Sequence, residues 1–327
     1  MTVQSDLCSV PASVVLLTYN QEAFVKEALQ SLLDQDYEDL EIVVSDDGSK
    51  DGTWPIVTAL ASTYSGSKKI ILNRNPTNLG IGGNYAKAFS LTRGDVVFSA
   101  AGDDVSLPSR CSASVAAWQE TGMKVDLVAT DAFDMTLDGE VVGYKAIDDL
   151  QQWDVSKWFS RRPYHFGASH MMTRRMLELN SLHPQLNAED QCLMFRALLM
   201  GGAFRLAQPL VKHRQSGVSY KAKPATYALK KSKLINDAKA SLIESGQMLA
   251  DAACLMRGSE VKAALELSID THTYIVDVLT ASSFQTKCGS VRRAVAVPLG
   301  KLVRFFMYAA FPFLYMPGMW LKSTLKK

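Results

Sequence analysis

Cysteine is scarce and scattered. Five residues among 327 (Cys8, Cys111, Cys192, Cys254 and Cys288) are odd in number and contain no C-x-x-C pair, which argues for reduced thiols and against a disulfide framework or a zinc site. An excess of one charge is lacking too: a formal net charge of +2 leaves no overall electrostatic footprint for nucleic acid. No G-x-x-x-x-G-K-[ST] loop, H-E-x-x-H pair or G-x-S-x-G elbow occurs, so a P-loop nucleotidase, a zinc peptidase and a serine hydrolase are unsupported. Internal repeats and low-complexity tracts are also missing, and glycine and proline are near average use. With 47% hydrophobic and 21% charged residues, the composition is that of a globular chain rather than a disordered, collagenous or polytopic membrane protein. Met1 to Pro11 has neither a basic start nor an apolar h-region, so a cytosolic location is expected.

What is present is a regular alternation. The chain is about twice the ~150 residues that serve as a prior for one domain. In its first half, short β-rich apolar runs (Ser13 to Leu17, Glu41 to Ser45, Lys69 to Leu72, Asp95 to Ser99, Val125 to Thr130) are separated by stretches of helical periodicity. Val25, Ala28, Leu29, Leu32 and Leu33 fall on one helical face. Repetition of this unit predicts an α/β fold, a mostly parallel sheet with helices on both faces, in which ligands sit at the carboxyl ends of the strands. From about residue 222 the character changes to an Ala/Leu/Lys-rich region read as two or three helices. Three segments are therefore expected: 1–221, 222–290 and 291–327.

Polar clusters follow the strand-like runs. The first ends in Thr18-Tyr19-Asn20 and the second in Ser45-Asp46-Asp47-Gly48-Ser49-Lys50-Asp51-Gly52. Helix caps and a turn account for either cluster alone; together, at one edge of a parallel sheet, they point to a nucleotide pocket. Asn75 to Asn84 is a glycine-rich turn opening a helix, without the last glycine of G-x-G-x-x-G, and its backbone N–H groups are candidates to approach a diphosphate. The fourth run leads into Ala101-Gly102-Asp103-Asp104. Adjacent carboxylates repel, and a divalent cation resolves that repulsion; hard oxygen ligands suit Mg²⁺ or Mn²⁺.

Taken in order, Thr18-Tyr19-Asn20, Asp46-Asp47-Gly48-Ser49, Asn78-x-Gly80 with Asn84, Gly94, and Asp103-Asp104 followed by Pro108 resemble the inverting nucleotide-sugar glycosyltransferases of family 2, with the GT-A (Rossmann-like) fold. The resemblance spans about residues 10–215. It implies a donor site drawing on Thr18, Tyr19, Asn20, Asp47, Gly80, Asn84, Asp103 and Arg214, with Asp47 near the base and ribose and Asp104 holding Mn²⁺ or Mg²⁺ on the diphosphate. Many relatives read Asp-x-Asp-Asp where this chain has Ala101 in the first place, which leaves Asp103 to contact the ribose or the metal. Asn187-Ala188-Glu189-Asp190 looks like the family's Glu-Asp pair, whose Asp takes the acceptor proton, so Asp190 is the expected general base. Lys212-His213-Arg214-Gln215-Ser216 resembles a Tyr-Arg-x-His element with only Arg214 matched; Arg214 or Lys212 is a candidate to neutralise the diphosphate. His165 and His170 flank Phe166-Gly167-Ala168-Ser169, where relatives place acceptor-side residues, although core or surface histidines are the plainer reading.

Residues 305–321 carry no formal charge, contain Pro312 and Pro317, and are flanked by Arg292, Arg293, Lys301 and Arg304 before and Lys322, Lys326 and Lys327 after. Basic flanks around interfacial aromatics predict attachment to an anionic leaflet rather than a span. The expectation is a metal-dependent inverting transferase with a UDP-type sugar donor and a glycan or lipid-linked acceptor, as in lipopolysaccharide or capsule assembly. It would be peripheral at the inner face of the plasma membrane, with no nucleic-acid partner. A sugar-phosphate nucleotidyltransferase is the alternative enzyme, and a non-catalytic scaffold with a degraded transferase fold the alternative to an enzyme.

Overall fold

The computed structural model describes residues 10–215 and 226–314 and divides into two compact units, 1–220 and 221–327. In chain order the described residues of the first unit form β1 (Ala12–Thr18), α1 (Val25–Leu33), β2 (Leu40–Asp46), α2 (Thr53–Thr63), β3 (Lys69–Arg74), α3 (Gly80–Phe89), β4 (Val96–Ala101), β5 (Val105–Ser106) and α4 (Arg110–Glu120). They continue with β6 (Leu127–Met135), β7 (Val141–Lys145), α5 (Val155–Ser160), β8 (His170–Thr173), α6 (Arg174–Glu178), α7 (Asp190–Leu199) and β9 (Ala203–Arg214). The nine strands make one sheet in the order β3-β2-β1-β4-β8-β6-β9-β5, with β7 also on β6.

The first four positions of this sheet are parallel throughout. Its central strands are buried on both faces: Val14, Val15 and Leu16 of β1, and Ile42, Val43 and Val44 of β2, are inaccessible, which is why they read as unbroken apolar runs; β3, at the edge, stays partly exposed. One face is covered by Val25, Ala28, Leu29, Leu32 and Leu33 of α1 together with Cys111, Val115 and Trp118 of α4. Gly94 enters β4 where a Cβ would lie 2.5 Å from the backbone of Ala12 and Ser13; its N–H donates to Ser13 Oγ at 2.8 Å. Only glycine lets the chain pass this close.

Beyond β4 the sheet becomes mixed. The four-residue β8 runs antiparallel to both β4 and β6, and the two-residue β5 is antiparallel to β9, while β6 and β9 are parallel. Such short strands carry no readable period. Their tertiary effect is large: β8 places the His165–Thr173 region beside β4, and the β5–β9 pairing sets Lys212 opposite Val105.

The second unit contains α8 (Tyr227–Cys254), α9 (Gly258–Thr280), α10 (Phe284–Arg293) and α11 (Leu299–Ala310). Thr226 caps α8, and Ser283 with Thr286 forms a capping box at α10. The boundary expected after residue 290 falls inside α10. In the stretch after it, Ala294, Val297 and Tyr308 are buried against Ala238, Tyr274, Ile275 and Val278. The Tyr227 and Tyr274 hydroxyls donate to the carbonyls of Tyr308 (2.8 Å) and Leu302 (2.6 Å). Among the described residues no helix is long and apolar enough to cross a membrane. The stretch from Tyr315 onward, with Pro317 and the last three lysines, lies outside the described residues.

Candidate active site

Parallel pairing sets Thr18 beside Asp46, and Leu17 beside both Ser45 and Ala101. The polar clusters after β1, β2 and β4 therefore leave the sheet at one edge. Thr18 Oγ1 donates to Asp46 Oδ1 at 3.2 Å, and the same buried carboxylate accepts the N–H of Ser49 at 3.0 Å and pairs with Arg74 at 3.5 Å. Asn20 adopts a left-handed φ of 52°; its N–H donates to Ser49 Oγ at 2.9 Å and its Oδ1 accepts the Lys50 N–H at 2.8 Å. These bonds tie the first loop to the second and leave Tyr19 44% exposed at the edge. Gly102 lets the third loop close on them, since a Cβ there would stand 2.4 Å from Gln21 Oε1.

Asp47 is buried and holds the start of α3. Its carboxylate accepts from the N–H groups of Leu79 (2.8 Å) and Gly80 (3.0 Å) and from Asn75 Nδ2 (2.9 Å). Farther along, the Gly82 and Gly83 N–H groups donate to Leu186 and Pro184 carbonyls, both at 3.2 Å. The expectation that these helix-start amides approach a diphosphate is thus corrected: Asp47 and the 184–186 loop already occupy them. Asn84 is likewise interior, linking Ser45 and Asn75. Asn75 was not singled out from the sequence, although it bridges Asp47 and Asn84; its place in the turn was visible, its partners were not.

Asp103 and Asp104 end the β4 loop. Asp104 is 8% exposed, and burial, reinforced by the charge of Asp103, pushes its carboxyl up to about 8. Such a carboxylate calls for a proton or a cation. Among the described residues no three His, Cys, Asp or Glu side chains converge to hold an ion; a divalent cation fits here as one carried on one or two carboxylates and completed by phosphate oxygens.

Arg214 meets this loop from β9. Its N–H donates to Asp104 Oδ1 at 2.9 Å and its Nε to the Asp103 carbonyl at 2.9 Å. The rest of the guanidinium bonds the Thr136 and Leu137 carbonyls (3.1 and 2.8 Å), pairs with Glu27 and lies 4.7 Å from the Phe24 ring centroid. Buried and so engaged, Arg214 clamps the Asp103-Asp104 loop to α1 and β9. Ser216, the poorly matched end of that element, lies outside the described residues.

The acidic pair at α7 reaches the same edge by a short relay of neighbours. Gly167 packs on the pair, its Cβ position lying 3.3 Å from both Asp190 Cβ and Glu189 Oε1. The adjacent Phe166 ring stands 5.5 Å from the His213 ring, and His213 feels the charge of Asp103. Burial, with the charge of Asp190 beside it, pushes the Glu189 carboxyl from its ordinary 4.5 up to about 7. A raised carboxyl pKa means that the unfolded chain releases its proton first, so stability is lost as pH rises from about 4.5 to 7. Glu189→Gln should therefore melt higher relative to wild type at pH 8 than at pH 4.5. A melting difference that is flat between those two pH values, followed by calorimetry, would contradict this placement.

The mixed sheet, parallel in its first half with polar clusters and adjacent carboxylates leaving one edge, is that of a GT-A fold. The Glycosyl transferase family 2 model matches residues 13–177, about half of the chain, and the chain belongs to that family: it is a glycosyltransferase. It is 27% identical over 230 residues, 69% of this chain and 81% of the other, to "Putative glycosyltransferase EpsE" of Bacillus subtilis. It is also 34% identical over 94 residues, 28% of each chain, to abequosyltransferase RfbV of Salmonella typhimurium. Among solved structures it resembles S. aureus TarS 1–349 in complex with UDP-GlcNAc (TM-score 0.55, 18% identity, 91% of this chain and 90% of that one). A second likeness is the mannosyltransferase PcManGT of Pyrobaculum calidifontis with GDP-Man and Mn²⁺ (TM-score 0.52, 16% identity, 94% and 87%). At these identities the structural likeness is one of fold.

Proposed function

We propose that the protein is a metal-dependent inverting glycosyltransferase that moves a sugar from a nucleoside-diphosphate donor to an acceptor hydroxyl. The observation that carries this reading is the convergence of Thr18 to Asn20, the Asp46-Asp47 turn and Asp103-Asp104 on one sheet edge; Asp190, at the start of α7, is read as the acceptor-side carboxylate. The exposed Tyr19 and the 18–20 loop offer a surface for the base, Asp47 shapes the pocket through the 75–80 turn, and Asp103 faces the ribose or the cation. Mn²⁺ or Mg²⁺ on Asp104, when bound, supplies positive charge against the departing diphosphate. Asp190 takes the acceptor proton while the acceptor oxygen attacks the anomeric carbon; the bond to the diphosphate breaks on the opposite face, so configuration inverts. The donors held by the two structural neighbours, UDP-GlcNAc and GDP-Man, support a nucleotide sugar.

A panel of nucleotide sugars assayed with and without Mn²⁺ tests the reading. A transferase consumes one of them, slowly by hydrolysis and faster with acceptor. A nucleotidyltransferase instead joins a sugar phosphate to a nucleoside triphosphate, and a scaffold does neither.

The proposal extends to a lipid-linked or surface-glycan acceptor at the inner membrane face. Its support lies in the second unit, where Leu299 is 75% and Val303 53% exposed and the basic residues near them in sequence, Arg292, Arg293, Lys301 and Arg304, are exposed too. Each basic residue contributes about 1 kcal/mol near an anionic leaflet. The full chain should co-sediment with phosphatidylglycerol vesicles at low salt and less at high salt. Leu299→Glu with Val303→Glu should weaken sedimentation without lowering donor turnover. Sedimentation unaffected by both changes and by salt would remove this surface from the function.

A further inference from the structure

We propose that His165, backed by His170 and latched to Gln191, is a positioning residue for Asp190. The inference rests on the reading of Asp190 as the base. The first residues of α7 are held twice. Asp190 Oδ1 accepts the backbone N–H of Gln191 at 2.7 Å, and the Gln191 side chain reaches back to the 163–170 segment. Its Nε2 lies 2.9 Å from His165 Nε2 and 3.5 Å from the Pro163 carbonyl, so both amide hydrogens point at acceptors while Oε1 is buried without a hydrogen-bond partner among the described residues.

An amide nitrogen only donates, so the contact assigns the tautomers along the whole line. His165 Nε2 accepts, His165 Nδ1 carries the proton and donates to His170 Nε2 at 3.0 Å, and His170 Nδ1 carries the last proton. That nitrogen is buried with no hydrogen-bond partner among the described residues. The rings lie 5.0 Å apart with a 30° tilt. His170 belongs to β8 and its carbonyl accepts from Arg110 Nη2 at 3.3 Å, which anchors the line in the sheet. The fold thus runs a rigid polar rod from the sheet to the first turn of α7, and the residue it grips is covalently next to Asp190.

The rod works only with neutral histidines. A proton on His165 Nε2 would face the Gln191 amide hydrogen, donor against donor, and relief requires the amide to turn over and offer its partnerless Oε1. The groups facing His165 are Asp190 of α7, with Glu189 on the same turn; Asp148, itself paired with Arg161 at 3.0 Å; and His170, beyond which stands Arg110. Burial holds His165 below its ordinary 6.5, opposed by Asp190 and Asp148, and burial, His165 and Arg110 hold His170 lower still. At neutral pH both rings are uncharged and the latch is closed; on acidification His165 gains its proton, the latch opens, and the new cation draws on Asp190.

The test is the pH profile of acceptor-dependent turnover, with UDP affinity measured alongside. His165→Gln should lower kcat by roughly 10- to 100-fold, the order at which groups orienting a functional side chain act. It should also move the acid limb downward, because the first inactivating proton no longer has its site. Gln191→Leu, which removes the facing donors and serves where the histidine variant fails to fold, should lower kcat similarly and move the limb upward. UDP affinity stays at the wild-type value in both. A histidine that merely fills space would lower kcat and the melting temperature with the limb in place, and that result overturns the proposal, as does a parallel loss of UDP affinity. Asp190→Asn keeps the two readings apart: wild-type turnover in that variant removes the base and this inference with it, whereas an inactive Asp190→Asn beside an unmoved limb in His165→Gln removes the positioning role alone.

Discussion

Asp190→Asn should lower turnover by roughly 10²- to 10⁴-fold, the usual contribution of a general base, with donor affinity nearly unchanged. The substitution preserves shape and the Oδ1 atom that accepts the Gln191 N–H, so the fold is not expected to suffer. The neighbouring Glu189, raised to about 7 by burial and by Asp190 itself, packs against the Gly167 turn. Single-turnover assays with saturating donor separate the chemical step from binding. Wild-type turnover would remove the assignment, and loss of UDP affinity would move Asp190 to the donor side.

Removal of the Asp104 charge should abolish metal-dependent donor binding. In the wild type, UDP at about 100 times its dissociation constant stabilises by ~2.7 kcal/mol, a rise of roughly 5–10 °C for a unit of this size. That rise is expected with Mn²⁺ or Mg²⁺ and not in EDTA, because without a cation the acidic loop offers the diphosphate no positive charge. Asp104→Asn is the informative variant, since its side-chain oxygen still accepts the Arg214 N–H that the carboxylate holds at 2.9 Å, whereas Asp104→Ala leaves a buried donor without its partner. In Asp104→Asn the shift with UDP should be the same small value with or without metal. A full metal-dependent shift in that variant, followed by differential scanning fluorimetry, would place the cation elsewhere.

How much of this was legible beforehand depended on whether the signal was local. The parallel half of the sheet was open to reading because its central strands are buried on both faces and carry unbroken apolar runs, as Val14 to Leu16 and Ile42 to Val44 do. The five apolar residues of α1 were legible by the same logic, since 3.6-residue spacing is a property of the segment alone. Polar clusters immediately after such strands then had to meet at one edge, and the register of Thr18 with Asp46 and of Leu17 with Ala101 follows.

What a polar residue does at that edge was not legible, because hydrogen-bond partners come from distant segments. Asp47 has the sequence context of a ligand contact, yet its carboxylate caps the turn before α3. Arg214 has that of a phosphate counter-charge, yet it is folded onto Glu27 and three carbonyls contributed by residues 77 to 111 positions away. The aromatic run after residue 290 has the pattern of a membrane tail, and the fold also seats Ala294, Val297 and Tyr308 of this stretch on α8 and α9; apolar periodicity says that a face is covered, not by what.

Composition, strand-end motifs and helical spacing therefore determined the class of fold and the sheet edge at which the polar clusters meet, since each is set within a few residues of chain. Tertiary structure alone decided the mixed half of the sheet, the α3 cap at Asp47, the Arg214 clamp and the His165–His170–Gln191 line. Each of those joins groups far apart in sequence, and burial makes a polar group's role depend on which partner the fold brings within 3 Å or so of it.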